Sequence, residues 1–116
     1  MTDNDTTVAE LRNRIAEFVH ERDWEQFHDP KNLSASIAIE AAELMEHFQW
    51  VHSDGLAEIR NDEASMAQIG EELADVVAFV LSFANAMDID ISSTLAAKLE
   101  KNEKKYPTAK YYGRFK

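Results

Sequence analysis

The sequence contains no cysteine, only three glycines and two prolines, and no extended run in which apolar and polar residues alternate. Without cysteine the chain can form neither disulfide bonds nor a thiolate metal site, and this composition fits a reducing compartment. Glycine and proline mark turns, and alternation marks strands. The scarcity of all three signals predicts an all-α fold.

The sequence also lacks a long apolar segment. Its longest nearly apolar stretch, VVAFVLSFANAM at residues 76–87, is well short of the ~20 residues that a membrane-spanning helix needs. The N-terminal MTDNDTT is acidic and polar, whereas a signal or transit peptide is basic with an apolar or amphipathic stretch. We therefore expect a cytoplasmic protein without membrane contact, in which residues 76–87 form a helix of the core or of a subunit interface.

Positive charge is scarce, because 12 Lys and Arg residues stand against 22 Asp and Glu residues and the formal net charge is −10. Phosphate backbones are bound by clustered Lys and Arg, so this balance argues against a nucleic-acid duplex as the partner. Seven of the 12 basic residues nevertheless lie at or after Lys98. A small anion such as a nucleotide can bind where this basic end meets acids that hold a metal ion.

Helix start and stop signals divide the 116 residues into four predicted helices, and this length suits one domain spanning residues 1–116. The helices are expected at about residues 8–23, 33–52, 63–87 and 91–106. The expected start signals are a Thr7–Glu10 capping box, a candidate cap at Asn32 after Pro30, and a cap at Asp90 or Ser92.

Two of these helices repeat an acidic pattern at the margin of their apolar stripe. On a wheel of ~100° per residue, the arc beside the stripe of the second helix holds Glu40, Glu43, His47 and Trp50, and the corresponding arc of the third holds Glu72, Asp75 and Phe79. A short connection favours antiparallel packing of the two helices. Such packing would bring four carboxylates to one locus.

Four converging carboxylates without thiols form a set of hard oxygen ligands, which suits Mg²⁺ or Mn²⁺ and disfavours zinc. The alternative is that these acids only cover the solvated faces of amphipathic helices. We prefer that alternative for Glu46 and Glu71, which lie elsewhere on the wheel. For the other four acids, spacing by itself leaves both interpretations open.

A carboxylate-bridged di-iron site is a further use of acids in a helical bundle, and the chain contains Glu17-x-x-His20 and Glu25-x-x-His28. Such a site needs its Glu-x-x-His pairs to project into the bundle. The first pair points away from the apolar stripe of its helix, and the second lies in the connector before Pro30. We therefore disfavour the di-iron interpretation.

Four segments, ERDWEQFHDPKNL, EAAEL followed by FQW, EELADVVAF, and KLEKNEKKYP, resemble in order and spacing the all-α nucleotide pyrophosphohydrolases of the MazG-like superfamily, and most of all its dCTP pyrophosphatase branch. The resemblance covers about residues 15–107. It implies a four-helix MazG-like bundle that assembles as a homo-tetramer of paired dimers. It also implies Mg²⁺-dependent hydrolysis of a nucleoside triphosphate between its α and β phosphates, giving the monophosphate and pyrophosphate.

The resemblance assigns roles to individual residues. The metal ligands it implies are Glu40, Glu43, Glu72 and Asp75, and either Glu40 or Glu43 would accept a proton from the attacking water. The substrate-binding residues it implies are Lys98, Asn102 and Tyr106 for the triphosphate or base, Trp24, Trp50 and Phe79 around the base, and His28 and Asn32 as hydrogen-bonding groups. Aromatic residues at helical spacing are also typical of a core, and Asn32 serves equally well as a helix cap.

The chain departs from the pattern of the dCTP pyrophosphatase branch at two positions, and two alternative functions are kept beside it. Phe79 lacks the hydroxyl of an expected tyrosine, and Lys98 is followed by Leu99 and Glu100, so that only one cation is fixed in that turn. The phosphoribosyl-ATP pyrophosphohydrolases share the acidic pattern but not DWEQFH and FQW. A non-enzymatic, acidic helical interaction module would use the same acids only for solubility.

Overall fold

The computed structural model describes residues 1–116 and contains helices and turns but no strand, which confirms the all-α prediction. The four long helices are α1 (Val8–Glu21), α2 (Pro30–Glu46), α4 (Glu63–Met87) and α5 (Ile91–Lys105), and the two short ones, which the sequence did not predict, are α3 (Leu56–Arg60) and α6 (Thr108–Tyr111). No single helix is long and apolar enough to cross a membrane. Only α4 and α5 taken together reach such a length and composition, and they meet at 101°.

Local hydrogen bonds begin two of the long helices as predicted. The Thr7 hydroxyl accepts from the backbone N–H of Glu10 at 3.1 Å, and the Glu10 carboxylate accepts from the backbone N–H of Thr7 at 3.3 Å. Helix α5 begins after Asp90, whose carboxylate accepts from the backbone N–H of Ser93 at 3.0 Å. Asp90 is therefore the cap, and Ser92 is not.

The start of α2 differs from the prediction. The helix begins at Pro30 because Asp29 is its cap, with the Asp29 carboxylate accepting from the backbone N–H of Asn32 at 2.8 Å. Proline suits the first helical position, where its missing N–H would have no partner in the helix. The predicted cap at Asn32 is wrong, because that residue already lies inside the first turn.

The end of α2 also differs. The helix ends at Glu46, and His47 to Trp50 continue as turns in which Phe48 N–H donates to Met45 C=O at 3.0 Å. No glycine or proline precedes Gly55 in this region, so nothing in the sequence marks the end. His47 and Trp50 consequently do not extend the helical arc of Glu40 and Glu43, contrary to the prediction.

The core lies where α2 and α1 pack against α4, and it is small. The buried apolar residues are Val19, Leu33, Leu81 and Ala84, and only Leu33 among them is fully buried. Leu73, Val77 and Val80 of α4 are all exposed. The radius of gyration is 17.4 Å, against about 13 Å for a compact domain of this length. One chain therefore buries only part of its apolar surface.

Helix α5 leaves the body of the molecule at an elbow. Asp88 ends α4 in the left-handed region with φ of 52°, and α5 starts three residues later with its axis turned by 101°. No residue of α5 is fully buried, and its side chains form no hydrogen bond or ion pair with another helix. We call residues 91–111, which comprise α5 and α6, the C-terminal arm.

Candidate metal centre

Packing of α2 against α4 brings three predicted ligands together. Glu40 and Glu43 lie one turn apart on α2, and Glu72 lies on the facing side of α4. One carboxylate oxygen from each of the three lies within 4.8 Å of the others. No other three His, Asp or Glu side chains in the chain converge as closely. We call Glu40, Glu43 and Glu72 the acidic centre.

Asp75, the fourth predicted ligand, lies at the edge of this centre. It follows Glu72 by three residues on α4 and is exposed. Its carboxylate lies outside the tight group of three. Its negative charge nevertheless contributes to raising the pKa values of Glu40 and Glu72. Asp75 is thus near enough to act on the acidic centre electrostatically.

Two oxygens of the acidic centre are buried without a partner. Oε2 of Glu40 and Oε2 of Glu72 are both inaccessible to solvent, and no N–H or hydroxyl group of the chain donates to either oxygen. The only ion pairs in the chain, His20–Glu25 and Arg22–Glu21, lie elsewhere. Because an unpartnered buried carboxylate oxygen is costly, the centre fits an added cation better than it fits a solvated surface.

Crowding of the acids changes their protonation. The pKa of Glu40 is raised to about 7, first because a hydrogen bond with Glu43 favours the protonated form, then because of burial and the negative charge of Glu43. Burial is also the main reason why the pKa of Glu72 is raised, and a hydrogen bond with Glu40 partly offsets that effect. The acidic centre therefore shares a proton near neutral pH when no cation neutralises it.

The chemistry of the donors indicates which ion would fit. The centre offers only carboxylate oxygens, which are the preferred ligands of Mg²⁺ and Mn²⁺. The Glu17-x-x-His20 and Glu25-x-x-His28 pairs form no comparable group. Their one close contact joins His20 Nδ1 to Glu25 Oε2 at 2.9 Å, so the structure gives the di-iron interpretation no support.

A cavity of about 550 Å³ lies between α1, the connector before α2, and the second half of α4. Its walls include Ile15, Val19, Glu17, His20, Glu25, His28, Ser82 and Asn85. The His28 ring lies 6.4 Å from the Phe79 ring, centroid to centroid. Sequence reasoning missed Ser82, although Asp75, Phe79 and Ser82 continue one face of α4 at spacings of four and three residues.

The predicted aromatic residues do not form one pocket within the chain. Trp24 packs edge-on against Phe18, with ring centroids 5.7 Å apart. Trp50 is 87% exposed, in the turns that follow α2. Of the three predicted rings, only Phe79 contacts another predicted substrate-binding residue, His28. Asn32 instead stabilises the start of α2, since its amide donates to Phe27 C=O at 3.2 Å and to the Asp29 carboxylate at 3.1 Å.

The predicted phosphate-side residues lie on the C-terminal arm. Lys98 and Asn102 lie on α5, and Tyr106 ends that helix and packs edge-on against Tyr111 at 5.2 Å. None of the three predicted residues forms a side-chain hydrogen bond or an ion pair with the acidic centre. The acidic centre and the arm are thus two separate parts of one chain.

Removing one charge from the acidic centre should separate metal binding from stability. We expect Glu43→Gln to leave the metal-free protein at least as stable as the wild type, because a repelling charge is lost at nearly constant volume. Mg²⁺ should raise the melting temperature of the wild type and have much less effect on the variant, since the ion binds only the folded state. Thermal melts in EDTA and in millimolar Mg²⁺ measure both effects.

The matched control for that melt is Glu46→Gln, on the same helix but outside the acidic centre. It should keep the full Mg²⁺ response. Equal responses in the wild type and both variants would show that the acids are a solvated face.

The raised pKa of Glu40 predicts a pH dependence of stability in EDTA. A carboxyl whose pKa is about 7 when folded, against 4.5 ordinarily, binds its proton more tightly in the folded state, so its stabilising effect is lost as pH rises from 4.5 to 7. Glu40→Gln removes this dependence. The melting temperature of the variant minus that of the wild type should therefore increase between pH 5 and pH 7.5. A constant difference across that range would contradict the raised pKa of Glu40.

Comparisons with known proteins identify the family. The profile of the MazG-like family matches residues 35–114, a range that includes Glu40, Glu43, Glu72 and Asp75. dCTP pyrophosphatase 1 of Bos taurus is 33% identical over 104 residues, which are 90% of this chain and 62% of that protein. The human protein of the same name is 36% identical over 102 residues, which are 87% and 59%. The chain thus spans roughly three fifths of the length of these relatives.

A solved structure extends the similarity to the fold. The crystal structure of a pyrophosphatase from Archaeoglobus fulgidus DSM 4304 matches with a TM-score of 0.81 and 37% sequence identity, over 92% of this chain and 98% of that one. The family match covers both acidic helices, and the structural match covers nearly the whole chain. Together they confirm the resemblance seen in the sequence, and the chain belongs to the MazG-like family.

Proposed function

We propose that this protein is a Mg²⁺-dependent nucleoside triphosphate pyrophosphohydrolase that prefers dCTP or a related deoxynucleotide. The observation that carries the proposal is the acidic centre, where α2 and α4 hold three carboxylates together with two buried oxygens unpartnered. The similarity to dCTP pyrophosphatase 1 and to the Archaeoglobus fulgidus pyrophosphatase supports the same activity. The products are the nucleoside monophosphate and pyrophosphate, a reaction that would cleanse the nucleotide pool of the cytoplasm.

The chain's own residues divide the work of the reaction. Glu40, Glu43 and Glu72 would hold the metal ion, and Asp75 at the edge would complete the set. A bound Mg²⁺ supplies neutralisation of the phosphate oxygens and a lower pKa for a bound water. Glu40 or Glu43 accepts a proton from the water that attacks the α phosphorus in line. The carboxylate oxygens of Glu40, Glu43 and Glu72 lie within 4.8 Å of one another, so the charge on each affects the proton affinity of the others.

The nucleoside is proposed to occupy the cavity beside Phe79. That cavity follows the acidic centre along the same helix, and Ser82 lies about 15 Å further along the α4 axis than Glu72 at 1.5 Å per residue. Its volume of about 550 Å³ falls within the range of small-molecule sites. His28 and Ser82 in the cavity wall offer hydrogen-bonding groups for a base. The Phe79 ring is not part of that wall but lies 6.4 Å from the His28 ring, centroid to centroid. Trp24 and the exposed Trp50 are further stacking surfaces.

A second copy of the chain is proposed to complete the site. The chain is extended, α4 exposes apolar side chains, and α5 exposes Leu95 and Leu99. Burial of these surfaces favours association, and we propose a homo-tetramer of paired dimers. Lys98, Asn102 and Tyr106 do not bond to the acidic centre of their own chain. We therefore propose that the C-terminal arm brings them to the centre of a neighbouring chain, where Lys98 contacts the triphosphate.

A panel of nucleoside triphosphates tests the reaction. With Mg²⁺ present, we expect release of pyrophosphate and the monophosphate, with deoxycytidine-type triphosphates among the best substrates, and no release with EDTA. Products are separated by anion-exchange chromatography so that pyrophosphate is distinguished from orthophosphate. Release of orthophosphate without pyrophosphate would contradict cleavage between the α and β phosphates. If no triphosphate is hydrolysed, the result would favour the non-enzymatic interaction module.

Mixed oligomers test whether the arm acts on a neighbouring chain. Glu43→Gln and Lys98→Ala should each lose most activity when assembled alone, because one lacks a metal ligand and the other a triphosphate contact. When they are unfolded and refolded together, a site that takes Glu43 from one chain and Lys98 from the other is restored, and about a quarter of wild-type activity should return if chains pair at random. Failure of the mixture to exceed the separate variants would place both residues in one chain's site.

A further inference from the structure

Two side chains, those of Arg12 and Asn85, make all the side-chain hydrogen bonds that join distant parts of this chain. Arg12 on α1 donates from Nε to Oδ1 of Asn85 at 3.0 Å and from Nη1 to the carbonyl of Ile89 at 2.6 Å. Asn85 returns a bond from its amide to the carbonyl of Arg12 at 3.1 Å. Every other side-chain hydrogen bond, and every backbone hydrogen bond outside the helices, joins residues close in sequence. The Arg12 contacts span 73 and 77 residues.

These bonds meet at the elbow between α4 and α5. Asn85 lies in the last turn of α4, and Ile89 lies between the end of that helix at Met87 and the start of α5 at Ile91. Arg12 and Asn85 are both partly buried there. Because a guanidinium has several donors in a fixed planar arrangement, one side chain can bind the α4 side and the elbow backbone at the same time. Arg12 thereby fixes one side of the elbow relative to the other.

The arm beyond the elbow has no comparable anchor. The side chains of α5 form no hydrogen bond or ion pair with another helix, and none of its residues is fully buried. The start of α5 is stabilised locally by Asp90, which accepts from the backbone N–H and the hydroxyl of Ser93. Without the Arg12 side chain, α5 would therefore still form, but its orientation relative to α4 would no longer be fixed.

We infer that Arg12 is a positioning residue that sets the direction of the C-terminal arm, and with it the placement of the substrate-binding residues on α5. The inference rests on the proposed function, because Lys98 and Asn102 need a defined direction only if they reach a triphosphate. Arg12 itself forms no hydrogen bond or ion pair with the acidic centre or with those residues. Its effect passes through the elbow.

The direction of the arm is measured directly by electron-spin distance measurements. The chain has no cysteine, so spin labels at Glu63→Cys on α4 and Glu103→Cys on α5 report only the chosen pair. Labelled chains are diluted with unlabelled ones to isolate the distance within one chain. We expect a narrow distance distribution in the wild type and a broad one in Arg12→Ala, with unchanged helix content by circular dichroism.

The same variants are assayed for pyrophosphate release. For Arg12→Ala we expect KM for the triphosphate to rise about tenfold while kcat changes much less, because a binding contact is misplaced and the metal centre is intact. The Mg²⁺-induced rise in melting temperature should be unchanged. Arg12→Lys keeps one donor group and should recover part of both the narrow distribution and the low KM. If Arg12→Ala does not fold, Arg12→Gln is judged by the same readouts.

The control is Arg60→Ala, which removes an exposed arginine that forms no side-chain hydrogen bond or ion pair. It should match the wild type in distance distribution and KM. A wild-type distribution in Arg12→Ala, or a broad distribution with unchanged KM, would overturn the inference. If the wild type releases no pyrophosphate, the proposed function fails, and the distance measurement still decides whether Arg12 directs the arm.

Discussion

The packing of α2 against α4 is the constraint on which the rest of the structure depends. It forms most of the core, in which Leu33 of α2 and Leu81 and Ala84 of α4 are buried. The same contact places the carboxylates of the acidic centre within 4.8 Å of one another. Hydrophobic burial thus holds together carboxylates that repel each other. Protonation of Glu40, whose pKa is raised, or a bound cation relieves that repulsion. The same helix pair therefore determines both the stability of the chain and the geometry of its candidate metal centre.

The small core leaves apolar surface exposed that the proposed assembly would cover. Only a few residues are buried, while α4 and α5 carry apolar side chains that remain exposed. An isolated chain with a radius of gyration of 17.4 Å gains little from hydrophobic burial compared with a compact domain. In the proposed homo-tetramer, contacts between copies would bury more of this apolar surface and would bring basic residues of the C-terminal arm toward an acidic centre. Charge of opposite sign on the two parts favours that approach.

Most polar contacts in this chain join residues close in sequence, and only the bonds around Arg12 and Asn85 join distant residues. Caps such as Thr7, Asp29 and Asp90 each bind backbone within one turn, so they define where helices begin but not how the helices are arranged. The arrangement depends on apolar packing between helices and on the single set of bonds around Arg12. A helix that lacks both, as α5 does beyond its first residues, depends on the elbow for its direction.

The sequence by itself determined what depends on neighbours along the chain. Helical periodicity, the capping box at Thr7 and the cap at Asp90 are local, and so is the placement of Glu40 with Glu43, and of Glu72 with Asp75, on one face of each helix. The four segments that resemble the MazG-like superfamily were sufficient to identify the family, since each keeps its order and spacing.

Only the tertiary structure decided which groups meet. Helical spacing predicted Asp75 and Glu72 equally as metal ligands. The packing of α4 against α2 places Glu72 in the acidic centre and Asp75 at its edge. No glycine or proline follows the end of α2 at Glu46 closely, so the sequence could not predict that Trp50 lies outside the helix. Contact between Arg12 and Asn85, 73 residues apart, depends on the angle between two helices. Periodicity describes the faces of a helix, whereas burial, pKa shifts and long-range bonds follow from how those faces are packed.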